Sequence, residues 1–156
     1  MNTSWYKLAK YEDNTQNVAE AAQNAGYNSP KLYHFTPHDK FNSFDRTISK
    51  DGFFFTDSPR SREFGKTTIA VYLSYNKPYM DDGESGVLDG RIYQAIADHG
   101  YDAIISDGNI TGERIHEIVV FKPEQIKSAD PITYDDQGNE IPLEERFNRN
   151  NPDIRY

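Results

Sequence analysis

One acidic residue stands at the head of an unbroken apolar run. Glu117 directly precedes Ile118-Val119-Val120-Phe121, and Pro123 closes the run. This β-branched and aromatic run predicts a buried strand, beginning at residue 117, in a sheet that is covered on both faces. Because a buried unpaired carboxylate costs several kcal/mol, Glu117 is either an exposed residue just outside the strand or a carboxylate with a chemical role. Glu113, further before the run, is a competing candidate for that role.

A histidine lies in a second short apolar stretch. Residues 31–36 (Lys-Leu-Tyr-His-Phe-Thr) predict a strand that ends at Pro37 and carries His34. An imidazole can donate and accept hydrogen bonds near neutral pH, so His34 is a candidate binding residue. The alternative is a packed histidine with one satisfied nitrogen. His34 and His38 could lie near each other, but a loop pair alone is a weak basis for a metal site.

The third stretch is aromatic throughout. Gly52-Phe53-Phe54-Phe55-Thr56 predicts a strand, and Asp57-Ser58-Pro59 predicts the start of a helix that runs through Ser61 to about Phe64. Phe54 and Phe64 offer rigid flat surfaces on which a planar ring could stack. Both would also serve as core residues, so they do not discriminate between binding and packing.

Composition limits the possible classes of protein. The chain has 156 residues, long enough for one domain with a core, and its 13% aromatic content argues against disorder. A formal charge of −8 argues against non-specific binding to nucleic acid, and the lack of cysteine excludes thiolate nucleophiles and zinc–thiolate sites. With no basic-plus-apolar leader at the N-terminus and no stretch of ~20 apolar residues, we expect a soluble protein.

The remaining elements are short and mixed. Helices are predicted at residues 15–25 and 87–98, strands at 67–75 and 103–105, a small hairpin at 134–141, and a solvated tail over 144–156. The acidic stretch Asp81-Asp82-Gly83-Glu84-Ser85-Gly86 could suggest calcium, but it lacks the spacing of an EF-hand loop. The stretch is therefore a weak candidate for a metal site. Strands interleaved with few helices predict an α+β protein with a mostly antiparallel sheet.

The three stretches, in this order, resemble the ADP-ribosyltransferase fold, in the His-Tyr-Glu branch that includes diphtheria toxin and the poly(ADP-ribose) polymerases. The first stretch, Tyr33-His34-Phe35-Thr36, is similar to the family's Tyr-His-Gly-Ser or Tyr-His-Gly-Thr. In the second, Gly52-Phe53-Phe54-Phe55-Thr56-Asp57 is similar to Gly-Ile-Tyr-Phe-Ala-Asp, and the following Ser61-Arg62-Glu63-Phe64 to Ser-Ala-Asn-Tyr. The third, Glu117-Ile118-Val119-Val120-Phe121 with Gln125-Ile126, is similar to Glu-Tyr-Ile-Val-Tyr with a later Gln-Val. The segment Pro123-Glu124-Gln125-Ile126-Lys127-Ser128-Ala129 and the terminal Asp153-Ile154-Arg155-Tyr156 resemble the ADP-ribosyltransferase modules in polyvalent proteins of phages and conjugative elements.

The resemblance implies NAD as substrate, with no metal, and gives each residue a role. Glu117 would bind the nicotinamide ribose hydroxyl and stabilise the oxocarbenium-like cation, while Phe54 and Phe64 would sandwich the nicotinamide ring. His34 would hold the adenosine ribose hydroxyl as an uncharged or charged donor, and Ser61 or the backbone around Phe35 would donate to the carboxamide. The implied catalytic set is Glu117, His34 and Phe54; the implied NAD-binding set is His34, Phe35, Thr36, Gly52, Phe54, Ser61 and Phe64.

Some positions depart from the family pattern. Phe54 stands where a Tyr is expected, which keeps the stacking face and loses a hydroxyl, and Phe35 replaces a Gly whose backbone approaches the carboxamide. Ile115, two residues before Glu117, breaks the acidic or amide pair of arginine-directed transferases, which argues against an arginine acceptor.

The expected architecture is therefore an ADP-ribosyltransferase-like split antiparallel β-sheet core with a few flanking helices. We expect an N-terminal arm and short helix over 1–30, the transferase-like domain over 31–130, and a hairpin and tail over 131–156. The expected function is transfer of ADP-ribose from NAD to a protein or small molecule in preference to a nucleic acid. The alternatives are NAD hydrolysis and a catalytically silent binding module. The resemblance implies a cytoplasmic location, in a host cell when a phage or mobile element delivers the protein.

Overall fold

A computed structural model describes the backbone of residues 3–58, 65–81, 90–110 and 113–156, and the side chains of residues 14–58, 65–81, 90–107 and 116–156. These residues form an α+β structure, as the sequence predicts. The predicted helix that contains Ser61 and Phe64 lies outside the described residues, as do residues 82–86 of the acidic stretch.

The centre of the molecule is a seven-stranded mixed sheet with the strand order β4-β5-β6-β2-β1-β3-β7. Its strands are β1 (Leu32–Thr36), β2 (Phe53–Thr56), β3 (Thr67–Leu73), β4 (Pro78–Asp81), β5 (Ala103–Ile110), β6 (Glu113–Val120) and β7 (Ile126–Ser128). Neighbouring strands are antiparallel, except that β4 and β5 are parallel. The three stretches with candidate residues thus form β1, β2 and β6, which lie side by side.

Strand pairing is uneven within the sheet. β1 pairs with β3 along its full length, from Leu32 opposite Val71 to Thr36 opposite Thr67. With β2 it pairs at Tyr33 and Thr56. β1 and β2 therefore separate beyond this pair.

Both faces of the sheet are covered by apolar side chains, because alternate residues of each strand point to opposite faces. Ile118 and Val120 of β6 join the larger core cluster, together with Phe53 and Phe55. Val119 points the other way, where helix α2 (Gly90–Asp98) packs Ile96 against it. Helix α1 (Thr3–Asn24) contributes Val18 and Ala22 to a third cluster that contains Tyr27 and Phe147.

Several element boundaries differ from the predictions. β6 begins at Glu113 and β5 extends to Ile110, so Glu117 lies inside a strand and the prediction that the strand starts there is wrong. Residues 106–117 are mostly polar. They therefore lack the alternation of apolar and polar residues from which a strand is predicted, and the pairing of β5 with β6 was missed. β4 was not predicted, since a short strand that starts with Pro78 has a weak pattern. α1 begins at Thr3, well before residue 15.

The C-terminal segment is packed into the domain, so the prediction of a solvated tail is wrong. Ile154 is 2% exposed and belongs to the larger core cluster. The Lys127 ammonium, on a side chain that is 1% exposed, donates to the carbonyl oxygens of Asn151 (2.6 Å) and Asp153 (3.0 Å). Hydrogen bonds from a side chain to irregular backbone leave no periodic pattern in the sequence. The packing of the C-terminal segment could therefore not be predicted. The predicted hairpin is confirmed by the pairing of Tyr134 with Glu140.

In the described part of the chain, no helix combines the length and the apolar character needed to cross a membrane.

Candidate functional site

A row of polar residues crosses the sheet on the face that α2 covers. Asp81, Ser106, Glu117 and Thr56 lie opposite one another on β4, β5, β6 and β2. Residues that face each other on neighbouring strands share one side of the sheet, so all four side chains leave the same face. The Ser106 hydroxyl donates to the Asp81 carboxylate at 3.2 Å. Two inter-strand spacings, about 10 Å, separate the backbones of Asp81 and Glu117.

Glu117 is the unusual member of this row. Its side chain is half-buried in the middle of β6, and burial raises the pKa of its carboxyl above the ordinary value. Among the described residues the carboxylate has neither a hydrogen-bond partner nor an ion-pair partner. The neighbouring His116 pairs with Asp107 on the opposite face. Structural carboxylates are normally paired when they lose water, so this environment is typical of a functional group.

Phe54 lies one register step from Glu117 and on the same face. Phe54 is opposite Val119, just as Thr56 is opposite Glu117. The ring of Tyr93 from α2 meets the Phe54 ring edge-on, with centroids 5.6 Å apart and an interplanar angle of 88°. Phe54 is therefore held as a flat surface next to the carboxylate.

Tyr93 brings a phenol into the same region. Its pKa is raised by burial and, to a smaller extent, by the negative charges of Glu117, Asp81 and Asp51. The Asp51 carboxylate abuts Gly90 at the start of α2, where the Cβ of a larger residue would overlap it. The negative charges of three carboxylates thus act on one phenol.

His34 sits where β1 and β2 separate. Its Nδ1 lies 2.8 Å from the carbonyl oxygen of Phe54. A carbonyl can only accept, so Nδ1 carries the proton. Burial lowers the pKa of His34, and the bond to Phe54 opposes this shift. In the neutral ring Nε2 is then an acceptor, which corrects the expectation that an uncharged His34 would act as a donor to a ribose hydroxyl.

The described contacts bring Phe54 and Glu117 together and leave His34 across the sheet from them. The imidazole packs against Phe41, Phe44 and Phe55, which lie in or against the larger core cluster. Its link to the other two residues is the hydrogen bond to the Phe54 backbone.

The other predicted residues have varied surroundings. Phe35 is partly exposed on β1, on the Glu117 face. Thr36 is 4% exposed and its hydroxyl accepts the N–H of His38, so the described contacts explain it as a packed residue. Gly52 has φ +122°, and a Cβ there would come within 2.7 Å of Val119. Close packing of β2 on β6 therefore accounts for this glycine without a ligand.

Three further candidates cannot be compared with their predicted roles. Ser61 and Phe64 lie outside the described residues. The side chain of Glu113 is also outside them, although its backbone starts β6.

Sequence reasoning missed Asp81, Ser106, Thr56 and Tyr93 as members of the site. Each becomes relevant through strand register or helix packing, and no local pattern encodes either. Asp81 was noticed as part of an acidic stretch, but its position at the end of β4 depends on pairing with β5. Among the described residues, no group of three or more His, Asp or Glu side chains is placed to hold a metal ion.

A cavity of about 370 Å³ opens at the other end of the strands. It is lined by Ser74, Ala97, Gly100, Tyr101, Asp102, Phe121, Lys122, Glu124, Gln125 and Arg149. Glu117, Phe54 and His34 do not border it, so this cavity and the polar row are separate features.

No family model matches the chain, and a search of the curated proteins finds no relative.

Proposed function

We propose that the protein is an NAD-dependent ADP-ribosyltransferase with Glu117 as its catalytic carboxylate. One observation carries this proposal: a half-buried carboxylate without a partner among the described residues lies beside a flat aromatic ring on the neighbouring strand. The third motif strand, β1, is next in the sheet. A carboxylate and a ring so placed suit a substrate that develops positive charge close to a planar leaving group.

The reaction breaks the bond between C1′ of the ribose and the nicotinamide nitrogen. Nicotinamide leaves as a neutral molecule with the bonding electron pair, and the positive charge of its ring nitrogen passes to the oxocarbenium-like ribose. Ionised Glu117 stabilises that charge, and its stabilisation is strengthened because burial keeps water away from the carboxylate. An acceptor oxygen or nitrogen then bonds to C1′ and releases its proton to solvent.

Phe54 orients the leaving group in this scheme. Its ring is fixed by edge-on contact with Tyr93, so the stacking surface is present before the substrate binds. Stacking keeps the nicotinamide ring in one plane and exposes C1′ to the carboxylate on the next strand.

His34 binds the second ribose at the separation of β1 and β2. The proton on Nδ1 is committed to the Phe54 carbonyl, so Nε2 accepts a hydrogen bond from an adenosine ribose hydroxyl. Since His34 and Glu117 leave opposite faces of the sheet, this role requires the dinucleotide to pass between β1 and β2 beyond Tyr33 and Thr56. The split-sheet character expected for the fold belongs to this proposal, and the single pairing of β1 with β2 at Tyr33 and Thr56 supports it.

Incubation with NAD labelled in the adenosine part, with and without cell lysate, tests the function. The parent protein is compared with Glu117→Gln and with Glu145→Gln, a control that alters an exposed carboxylate of the C-terminal segment. We expect the parent and the control to release nicotinamide and to move label onto a protein or a small molecule, and the Glu117 variant to do neither.

Nicotinamide release without labelling of any lysate component would instead indicate NAD hydrolysis. A folded parent that binds no NAD and releases no nicotinamide contradicts the proposal and favours a binding module.

A further inference from the structure

The polar groups around Glu117 include the phenol of Tyr93. Tyr93 has no hydrogen-bond partner among the described residues, and its ring is fixed by Phe54. The Glu117 carboxylate, on the strand next to Phe54, is likewise without a partner among the described residues. Tyr93 and Glu117 thus lie next to the same Phe54 ring, one on the helix and one on the neighbouring strand. Polar groups without protein partners are suited to binding a ligand.

We propose that Tyr93 is a substrate-contacting residue of the Glu117 site, an inference that rests on the function proposed above. Its hydroxyl donates a hydrogen bond to an oxygen of the nicotinamide ribose while Glu117 accepts one from a hydroxyl of the same sugar. A neutral phenol is a donor up to alkaline pH, so Tyr93 keeps this role wherever Glu117 is ionised.

The position of Tyr93 follows from the packing of α2 on the sheet. α2 is anchored to the sheet by Ile96, which packs with Ile104 and Val119 in the same cluster that Phe54 and Tyr93 join. Tyr93 lies about one helical turn before Ile96 in α2. Helix packing thus holds the Tyr93 ring against Phe54, on the face of the sheet that carries the polar row.

Packing alone would need only the ring of Tyr93. A phenylalanine would fill the same space against Phe54 without bringing a polar atom near Glu117, Asp81 and Asp51. These three negative charges raise the pKa of Tyr93, as burial does more strongly, so the hydroxyl lies within their field. Phe54 has no hydroxyl of its own, and Tyr93 gives the site one from the opposite layer.

A set of exchange variants separates the hydroxyl from the ring. Tyr93→Phe removes the hydroxyl, Phe54→Tyr adds one to the adjoining ring, and the double variant moves it from the helix to the strand. Tyr101→Phe is the control, because Tyr101 borders the cavity at the other end of the strands. Nicotinamide release from NAD is measured for kcat and KM, and thermal unfolding checks each fold.

We expect Tyr93→Phe to lower kcat/KM by about tenfold to a hundredfold, as the loss of one donor to a reacting group commonly does. The melting temperature stays near that of the parent, the double variant regains part of the loss, and Tyr101→Phe keeps full activity. Full activity in Tyr93→Phe overturns the inference.

A second measurement is independent of turnover. The pKa of the Tyr93 phenol is followed by NMR in the parent and in Glu117→Gln, with Tyr75 as internal control because burial alone raises its pKa. We expect the pKa of Tyr93 to fall in the variant and that of Tyr75 to stay constant. An unchanged Tyr93 pKa in a parent that releases nicotinamide overturns the inference alone, whereas a parent that releases no nicotinamide overturns the proposed function and, with it, the inference.

Discussion

His34 donates a hydrogen bond from Nδ1 to the carbonyl oxygen of Phe54, 2.8 Å away, at the point where β1 and β2 separate. The side chain takes the place of a backbone donor in the interrupted ladder. The imidazole therefore adds a second link between β1 and β2, besides the backbone pairing of Tyr33 with Thr56. It also fixes the tautomer in which Nε2 is the hydrogen-bond acceptor.

Removal of this bond is expected to destabilise the fold. His34→Leu replaces the imidazole with an apolar side chain of similar size. The Phe54 carbonyl then lacks its donor, which lowers the free energy of unfolding by about 1–3 kcal/mol. Urea denaturation of the parent and variant measures the change. His38→Leu, an exposed position, is the control and should change stability by less than about 0.5 kcal/mol. Equal losses in the two variants would show that the bond is not the cause.

Acidification is expected to weaken the fold through His34. Its pKa is lowered by burial, so below pH 6.5 the unfolded chain binds a proton that the folded chain excludes. The stability is present above the unfolded pKa and is lost as pH falls through the lowered folded pKa. Melting temperatures between pH 7.5 and pH 5 should therefore drop more steeply in the parent than in His34→Gln. Parallel curves would contradict this assignment.

Glu117→Gln is expected to stabilise the protein while it abolishes activity. Burial raises the folded pKa of Glu117, so the ionised carboxylate becomes a penalty as pH rises from the unfolded pKa through the folded one. An amide has no such penalty, and the gain at neutral pH should be about 1 kcal/mol, the size of common stabilising changes. Denaturation at pH 7 and pH 4 measures it, and the gain should shrink at pH 4. A destabilised variant would mean that the carboxylate has a structural partner.

Lys127 is expected to hold the C-terminal segment on the domain. Burial lowers the pKa of Lys127 to about 8, opposed by the charges of Asp153 and Glu124, and the ammonium donates to the carbonyls of Asn151 and Asp153. Lys127→Ala leaves both carbonyls without this donor and should cost about 2–4 kcal/mol. Limited proteolysis should then cut the C-terminal segment first. Lys122→Ala removes an exposed lysine and serves as the control.

The apolar strands could be predicted from sequence because burial leaves a continuous local pattern. The runs at 53–55 and 118–120 are strands whose side chains enter cores on both faces. β4 could not be predicted, because four residues beginning with Pro78 become a strand only through pairing with β5. The burial of Ile154 could not be predicted either. The irregular chain around it is held by hydrogen bonds from Lys127, which is distant in sequence.

The candidate site was predictable in part. Phe54 and Glu117 were identified from their own stretches, and the antiparallel pairing of β2 with β6 brings them to one face. The contribution of Tyr93 depends on where α2 crosses the sheet, and that of Asp81 and Ser106 on register across three strands. Local sequence does not contain these relationships.

The central claim is that Glu117 serves NAD cleavage, and release of nicotinamide by the purified protein tests it most directly. Parent and Glu117→Gln are assayed side by side at matched concentration, with unfolding curves taken on the same samples. The account predicts steady release by the parent and a loss of about a hundredfold or more in a variant at least as stable. Equal release by the two proteins, or none by a folded parent, would contradict it.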